Sequence, residues 1–584
     1  MTDGTYIPGY GDLNASSTDG VASAGTAAAG RITGMSASAE SDWVNRFADE
    51  VIAEAQRRAP GKPIVCASGL SPSGPIHLGN LREVMTPHLV ADEIRQRGHE
   101  CVHLMSWDDY DRFRKVPAGI DESWAEHVGK PLTSVPAPAG SMHPNWAEHF
   151  KAAMTAALAE LGVVVLGISQ TQMYTSGAYR EQILRAMRER KRIDAILGQY
   201  RTKATEGSDE DDGGAGALYS PYKPYCSVCE RDSTTVTAYD DATTELTYTC
   251  AYGHGETVKL TEFDHGKLVW KVDWPMRWAY EGVVFEPSGV DHNSPGSSFT
   301  VGSQIIRDVF GADAPIGPMY AFVGITGMAK MSSSKGGVPT PGDALRIMEA
   351  PLLRWLYARR RPNQSFKVAF DQEIHRLYDE WDALGAKVAA GTAPAFDALA
   401  YDRASRTAET ELPVTPRPLP YRMLASVADI TTADPAQMLR ILHDVDPSRP
   451  IDSLDEVRPR LDRAVHWVAE QMPADQRTQV ATEPDAELLA GLDDEEVRAL
   501  RLLVDGLDEH WSLAGLTTLV YGVPKMILGL PLDVTPTAEL KAVQRRFFIL
   551  LYRLLTGRDT GPRLPTLLLA IGADRVRALV TPPG

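Results

Sequence analysis

Two hydrophobic periods divide this chain. A short apolar run, Pro63-Ile-Val-Cys-Ala67, leads into a glycine-containing turn and then a stretch in which Leu81, Val84, Met85, Leu89, Val90 and Ile94 recur at helical spacing, with Gly98 as its stop. A second apolar run, Cys101 to Met105, follows. Strand, turn, helix and strand in that order form the unit that builds parallel sheets. Pro87 lies inside the helical stretch and predicts a kink or break there. A further strand is expected over Met319 to Ile325. Past about residue 345 the strand pattern nearly vanishes and Leu, Ala, Arg, Asp and Glu dominate. Proline-containing breaks fall near Pro413 to Pro420 and Pro447 to Pro450, and amphipathic segments such as Leu489 to Leu507 and Leu540 to Leu555 predict a bundle of helices.

Composition adds bounds to that pattern. A chain of 584 residues with 43% hydrophobic content can bury more than one core, and its length suggests three or four domains. No run approaches the roughly eighteen apolar residues of a membrane span. The first forty or so residues are rich in Ala, Gly, Ser and Thr, with neither a basic start nor an apolar block, which predicts a disordered tail and not a signal peptide. A second low-complexity piece runs from Glu206 to Ala217, and no internal repeat is evident. The net charge of −18, taken whole, argues against a nucleic-acid partner. Local charge says otherwise: Arg185, Arg188, Arg190, Lys191 and Arg192 form one basic helical stretch, and Arg359, Arg360 and Arg361 another. Either offers phosphate contacts, although a solvated helix face is the commoner fate of such runs.

The chemistry concentrates in two stretches about two hundred and fifty residues apart, SPSGPIHLGN (Ser71 to Asn80) and MAKMSSSKGG (Met328 to Gly337). The first would place His77 at the first turn of a helix, where unpaired N–H groups and the helix dipole attract phosphate. Its imidazole could donate a hydrogen bond to charge developing on a transferring phosphoryl group. Gly74 and Gly79 lack a Cβ, so a flat adenine or a phosphate could approach the backbone there. In the second stretch Lys330 and Lys335 are cations able to fold over a triphosphate, and Ser332 to Ser334 offer short donors on a loop that can close on ATP. Either stretch alone reads as an exposed turn or helix start; their joint occurrence, each after an apolar run, points to ATP.

These stretches resemble the two signatures of class I aminoacyl-tRNA synthetases, His-Ile-Gly-His and Lys-Met-Ser-Lys-Ser. Most similar in detail is the class I, archaeal-type lysyl-tRNA synthetase family, which SWDDYDRFRKVP (Ser106 to Pro117), KVDWPMRW (Lys271 to Trp278) and FEPSGVDHNSPGSS (Phe285 to Ser298) also resemble. The likeness runs from about residue 41 to about 350. It departs at Asn80, where the general signature has a second histidine, and at Ser333, where it has a lysine, which leaves open whether Lys330 or Lys335 dominates. The resemblance implies a Rossmann-like parallel-sheet catalytic domain over 41–345, carrying a zinc-ribbon-like insertion at 218–262. It also implies a stem-contact helical region over 346–400 and an all-α anticodon-binding domain over 401–584, behind the tail at 1–40. The implied reaction is activation of L-lysine with ATP and Mg²⁺, then transfer to the 3′ end of tRNA(Lys), by a cytoplasmic monomer that engages neither DNA nor membrane. Implied catalytic residues are His77, Lys330 and Lys335, with ATP also held by Ser71, Gly74, Gly79, Asn80, Met331, Ser332 and Ser333. The implied lysine site is Gly69, Trp270, His292 and Tyr320, to which the placement of Asp108 after the second predicted strand adds an acid. The alternatives are a glutamyl-type enzyme of the same class and a non-catalytic tRNA-binding paralogue.

Residue chemistry bears on that choice. Glutamyl relatives carry an arginine four residues before the turn to meet the substrate carboxylate, and Ala67 stands at that position here. An ammonium substrate needs carboxylates or aromatic faces. Asp108, Asp109 and Asp111 follow the second predicted strand, where ligands gather in parallel sheets, and Trp270, Trp274 and Tyr320 supply rings. Asp109 and Asp111 would otherwise be loop acids pairing with Arg112, Arg114 and Lys115.

Between the signatures, Cys226-Ser-Val-Cys229 and Cys250-Ala-Tyr-Gly-His254 have the spacing of a tetrahedral structural zinc site, with His265 as an alternative fourth ligand. Four protein ligands leave no open position for a catalytic water. Cys66 and Cys101 fall in predicted strands as packing residues, so five cysteines so distributed suit a reducing compartment.

Overall fold

The computed structural model describes residues 42–200, 219–294, 296–326 and 337–582. The chain divides into two compact units. The first takes the described residues up to Ala344 together with Leu353–Val368 and Ala386–Leu412; the second takes Leu345–Leu352, Ala369–Gly385 and the chain from Pro413. The chain therefore passes between the units several times over residues 345–413.

The first unit is organised by a parallel sheet. Strands β1 (Ile64–Leu70), β2 (Cys101–Trp107) and β3 (Leu166–Ser169) pair in that order, with Ile64 beside Cys101 and Leu104 beside Leu166. Beyond the other edge of β1 the chain adds Phe285, in a parallel bridge to Cys66, and then Ile316, bridged to Phe285. The pair continues as β4 (Ser288–Gly289) beside β5 (Met319–Tyr320). Strand order thus reverses between β1 and the 285 segment, and a doubly wound sheet opens a crevice at the carboxyl ends of the strands flanking such a reversal.

Helix α1 (Trp43–Arg58) is capped by Asp42, whose carboxylate accepts from Asn45 N–H at 2.9 Å. Helix α2 (Leu81–Gln96) runs unbroken through Pro87, against the sequence expectation of a break. The proline forfeits one hydrogen bond to the Glu83 carbonyl, and burial of most of the helix outweighs that local loss. Gly98 ends it in the left-handed region at φ 84°, as the pattern predicts. The strand expected over Met319 to Ile325 is two short ones, Met319–Tyr320 and Val323–Ile325, the latter pairing with Phe366–Val368. Fully buried Arg354 holds that later chain in the first unit, donating to His88 Nε2 at 3.1 Å, Leu161 O at 2.8 Å and Arg403 O at 2.8 Å.

Within the described residues of the second unit every named element is helical. The amphipathic segment Leu489 to Leu507 is two helices, Ala486–Ala490 and Asp494–Gly506, because Asp493 and Glu496 form a reciprocal capping box that starts a new helix after Gly491. Leu540 to Leu555 is one helix, Ala538–Thr556, stopped by Gly557 at φ 69°. The core contains a buried charge network. Arg460 donates to Glu349 at 2.8 Å and Asp382 at 2.8 Å, while Thr415 Oγ1 donates to the other Glu349 oxygen at 2.7 Å. Beside it Tyr378 and Tyr421 stack at 4.1 Å. Truncating Glu349 would leave a buried guanidinium short of a counter-charge, so Glu349→Ala is expected to destabilise the helical unit by about 3 kcal/mol or more. Chemical denaturation followed by circular dichroism tests this, and a midpoint equal to that of the unaltered protein would contradict it.

Candidate active site

A cleft opens at the sheet reversal. Ala67 and Gly69 come from the end of β1, Ser106 and Asp108 from the end of β2, and Glu286 and Ser288 from the adjoining segment. Helix α3 (Trp270–Glu281) forms one wall, placing Trp270, Trp274 and Trp278 at four-residue intervals with Arg277 and Glu281 beside them. The indoles pack in series, Trp270 on Trp274 at 5.1 Å and Trp274 on Trp278 at 4.8 Å, and His292 meets Trp274 at 5.6 Å.

Acids outnumber cations in this cleft. Glu83, Asp108, Glu281 and Glu286 line it, and among the described residues the lining cation is Arg277. That guanidinium is already engaged: Nη1 donates to Asp108 Oδ1 at 2.6 Å and to Ser106 Oγ at 2.9 Å, while Nε and Nη2 bind the fully buried Asp273. Tyr174 donates to the same Asp273 at 2.5 Å. The other acids have neutral donors. Glu286, 6% exposed, accepts from the indole N–H groups of Trp274 at 3.0 Å and Trp278 at 2.6 Å. Glu83 accepts from the Tyr320 hydroxyl at 2.9 Å, and Glu281 from that of Tyr179 at 3.2 Å. Burial raises Glu83 to about 8 despite the Tyr320 bond, and the Glu286 and Asp108 carboxylates add to it. Burial likewise brings Glu281 to about 8 against the pull of Arg277, and Glu286 to about 7 against its two indole donors.

Of the sequence-predicted substrate residues, Gly69, Asp108, Trp270 and His292 line this cleft, and Tyr320 reaches it through Glu83. Glu83, Arg277, Glu281 and Glu286 were missed. The signal for Arg277 was its place four residues after Asp273 inside a tryptophan-rich helix, and Glu286 stood as an isolated acid after an apolar pair, Val284-Phe285. The expectation for the neighbouring loop acids needs correction. Asp109 is fully buried away from the cleft, accepting from Lys151 at 2.5 Å, Ser169 at 2.7 Å and Thr171 N–H at 2.8 Å. Asp111 pairs with Lys267 at 2.6 Å, with Arg114 adding electrostatic stabilisation of its carboxylate.

At the first signature, Ser71, Gly74, His77, Gly79 and Asn80 lie on the connection from β1 to α2, and His77 caps the single turn Leu78–Asn80. Leu78 N–H donates to Pro339 O at 2.8 Å, so that amide is not a free phosphate donor, contrary to the sequence expectation. The same bond brings the chain just after the second signature back to His77. A Cβ at Gly74 would meet no atom within 4 Å, which leaves its backbone open to a ligand. Burial pushes the His77 imidazole below its usual range, and its Nδ1 has no hydrogen-bond partner among the described residues. Lys330, Met331, Ser332, Ser333 and Lys335 lie outside the described residues, as do the 1–40 tail and the 206–217 piece.

The metal-type cluster sits on a small antiparallel sheet, Thr234–Tyr239, Glu245–Cys250 and Gly255–Lys259. Two tight turns bring Cys226, Cys229, Cys250 and His254 together, one ligand atom from each within 4.8 Å of the others. Cys226 Sγ lies 3.5 Å from His254 Nδ1, and Cys229 Sγ 3.7 Å from Cys250 Sγ. His265 instead bonds the adjacent Asp264 at 2.6 Å and stands outside the group. Cys66 and Cys101 are buried between β1 and β2.

The family model for class I tRNA synthetases (K) matches residues 41–408. A lysine–tRNA ligase of Streptomyces coelicolor is 70% identical over 568 residues, covering 92% of this chain and 98% of that protein. The chain belongs to the class I lysyl-tRNA synthetases. A lysine–tRNA ligase of Thermococcus kodakarensis is 32% identical over 546 residues, covering 91% of this chain and 98% of its own. A solved glutamate–tRNA ligase from Elizabethkingia meningosepticum overlays with a TM-score of 0.40 and 12% identity, over 89% of this chain and 98% of that one.

For a lysyl-tRNA synthetase the raised carboxyls have a measurable consequence. Their folded-state values of about 7 to 8 exceed the ordinary 4.5, so the folded cleft holds protons that an unfolded chain has released. Raising pH through that window therefore destabilises the ligand-free protein. The expected result is a melting temperature that falls between about pH 5 and about pH 8, with a smaller fall in Glu286→Gln. Scanning fluorimetry at several pH values tests it, and an identical pH slope in the variant would refute the assignment of that proton to Glu286.

Proposed function

We infer that this chain activates L-lysine with ATP to lysyl-adenylate, releasing pyrophosphate, and esterifies the lysyl group to the terminal ribose of tRNA(Lys). The observation that carries the lysine assignment is the charge of the cleft: several buried acids face it, and its cation is consumed by Asp108 and Asp273. A glutamate side chain would enter among acidic groups that resist further negative charge, with no free cation among the described lining residues. Desolvating it unpaired would cost several kcal/mol, on the order of the penalties for buried charge. A lysine ammonium meets Glu83 and the Tyr320 hydroxyl, with the Trp270 and Trp274 faces along its methylenes.

Adenylate formation needs the lysine carboxylate aligned on the α-phosphate and the developing charge neutralised. In this reading His77 donates to that charge, Lys330 and Lys335 with Mg²⁺ supply the positive field, and Ser71, Gly74, Gly79, Asn80, Met331, Ser332 and Ser333 complete the ATP site. Gly69, Asp108, Trp270, His292 and Tyr320, joined by Glu83, form the lysine site. Zn²⁺ held by Cys226, Cys229, Cys250 and His254 would be structural, since three thiolates and an imidazole complete a tetrahedral set. Residues 41–345 serve as the catalytic domain with its insertion at 218–262. Residues 346–400 contact the tRNA stem and 401–584 the anticodon, in a cytoplasmic, monomeric enzyme. A helical bundle without a catalytic motif is what a macromolecular acceptor asks of this region.

Pyrophosphate exchange across the amino acids, with tRNA present, is expected to respond to lysine and not to glutamate. Comparable kcat/KM for both would overturn the assignment. His77→Ala should lower the lysine-dependent rate at least about tenfold while leaving the melting temperature unchanged. Metal analysis is expected to find about one zinc per chain, lost in Cys226→Ser; native protein purified without chelator and free of zinc would exclude the site.

A further inference from the structure

Carboxyl groups converge on the candidate lysine cleft from several elements. Glu83 comes from α2, Asp108 from the residue after β2, Glu281 from the end of α3 and Glu286 from the segment beside β1. The cations that face this group are already shared. Arg277 is held between Asp108 and Asp273, and Lys267, 3.7 Å from Asp273, pairs with Asp111 at 2.6 Å. Arg82, next to Glu83, is turned to the carbonyls of Ala321, Gln364 and Arg361. His292 lines the cleft and lies 3.9 Å from Asp291. Glu83, Glu281 and Glu286 therefore bond to neutral donors, the hydroxyls of Tyr320 and Tyr179 and the indoles of Trp274 and Trp278.

An acid buried beside other acids without a counter-charge is cheaper to keep protonated, and burial holds all three glutamates above the usual carboxyl range. A cation entering the cleft removes that reason. Against a neutral carboxyl an ammonium gains a dipole, whereas against a carboxylate it gains a charge-assisted pair. We propose that lysine binds by exchange, its side-chain ammonium displacing one proton from Glu83 to solvent and leaving a Glu83 carboxylate paired with the bound ammonium. The proposal rests on the lysine reading above. The Glu83 O–H bond breaks and a buffer base takes the proton, with no change of oxidation state. Glu286 is the poorer source, because each of its oxygens already accepts an indole N–H. The lysine ammonium, with an ordinary value of about 10.4, stays charged throughout the neutral range, so the pH dependence of binding reports the cleft. Rising pH removes the proton in advance and tightens binding.

The test is calorimetric titration of the full chain with L-lysine at about pH 7 in phosphate and in Tris, whose ionisation enthalpies differ. The difference in heat is expected to report about one proton released per lysine, and Kd is expected to fall at least about tenfold from about pH 6 to about pH 8. Both effects should vanish in Glu83→Gln and persist in Glu286→Gln. Heat independent of buffer in the unaltered protein would overturn the proposal, as would undiminished release in Glu83→Gln. Infrared difference spectra give a second reading where Glu83→Gln binds too weakly: lysine should bleach a protonated-carboxyl band of the unaltered protein that the lysine-free variant lacks. A band untouched by lysine, or still present in the variant, would equally overturn it. Absence of any lysine binding by the unaltered protein is a separate result, which removes the functional reading itself.

Discussion

The engagement of Arg277 by Asp108 and Asp273 sets the character of the whole active site. One guanidinium, 3% exposed, ties the end of β2 to helix α3 through a fork of hydrogen bonds that also reaches Ser106. It closes the floor of the crevice, and it removes the cleft's cation from use by a substrate. What remains facing the ligand are acids with neutral partners, the indoles over Glu286 and the phenol on Glu83. In the proposed reading specificity follows as much from this withheld cation as from the acids themselves, because an anionic competitor finds no free cation among the described lining residues.

The surrounding fold keeps that arrangement rigid. Asp109, next to Asp108, is locked by Lys151, Ser169 and the Thr171 amide, so the loop leaving β2 cannot drift and carry Asp108 off Arg277. The three tryptophans repeat every four residues on α3, and an α-helix turns by nearly that interval, so all three present faces to one side. The insertion is tied back by Arg231, which donates to Val128 O at 3.0 Å, and by the Asp232 amide, which donates to Gly129 O at 2.9 Å.

The sequence made much of this legible, for identifiable reasons. A parallel sheet announces itself through apolar runs separated by a helical period, so β1, α2 and β2 were visible, and Cys-x2-Cys with Cys-x3-His needed only two tight turns to converge. Gly69, Trp270 and His292 come from family resemblance and Asp108 from its place after the second apolar run, and the sheet reversal explains why residues so distant in sequence meet. The buried partners were hidden because nothing local marks them. Asp109 looks like any loop acid until Lys151, forty-two residues later, is known to sit against it. Glu83 reads as an ordinary polar position of α2, since only the placement of Tyr320 turns it inward. Pro87 misled for the same reason: local propensity predicted a break, and tertiary burial of the helix overrode it.

The candidate lysine cleft gathers carboxyl groups in a buried setting, which raises their proton affinity and leaves the protein with groups it would rather not ionise. An ammonium ion relieves that frustration, so binding energy is drawn from a cost already built into the fold. Beside that cleft, Arg112, Arg114, Lys223 and Lys267 surround two acids, Asp111 and Asp232. A chain with a net charge of −18 can in this way still serve a nucleic acid, because recognition depends on the few charges that face the ligand and not on the sum over the surface.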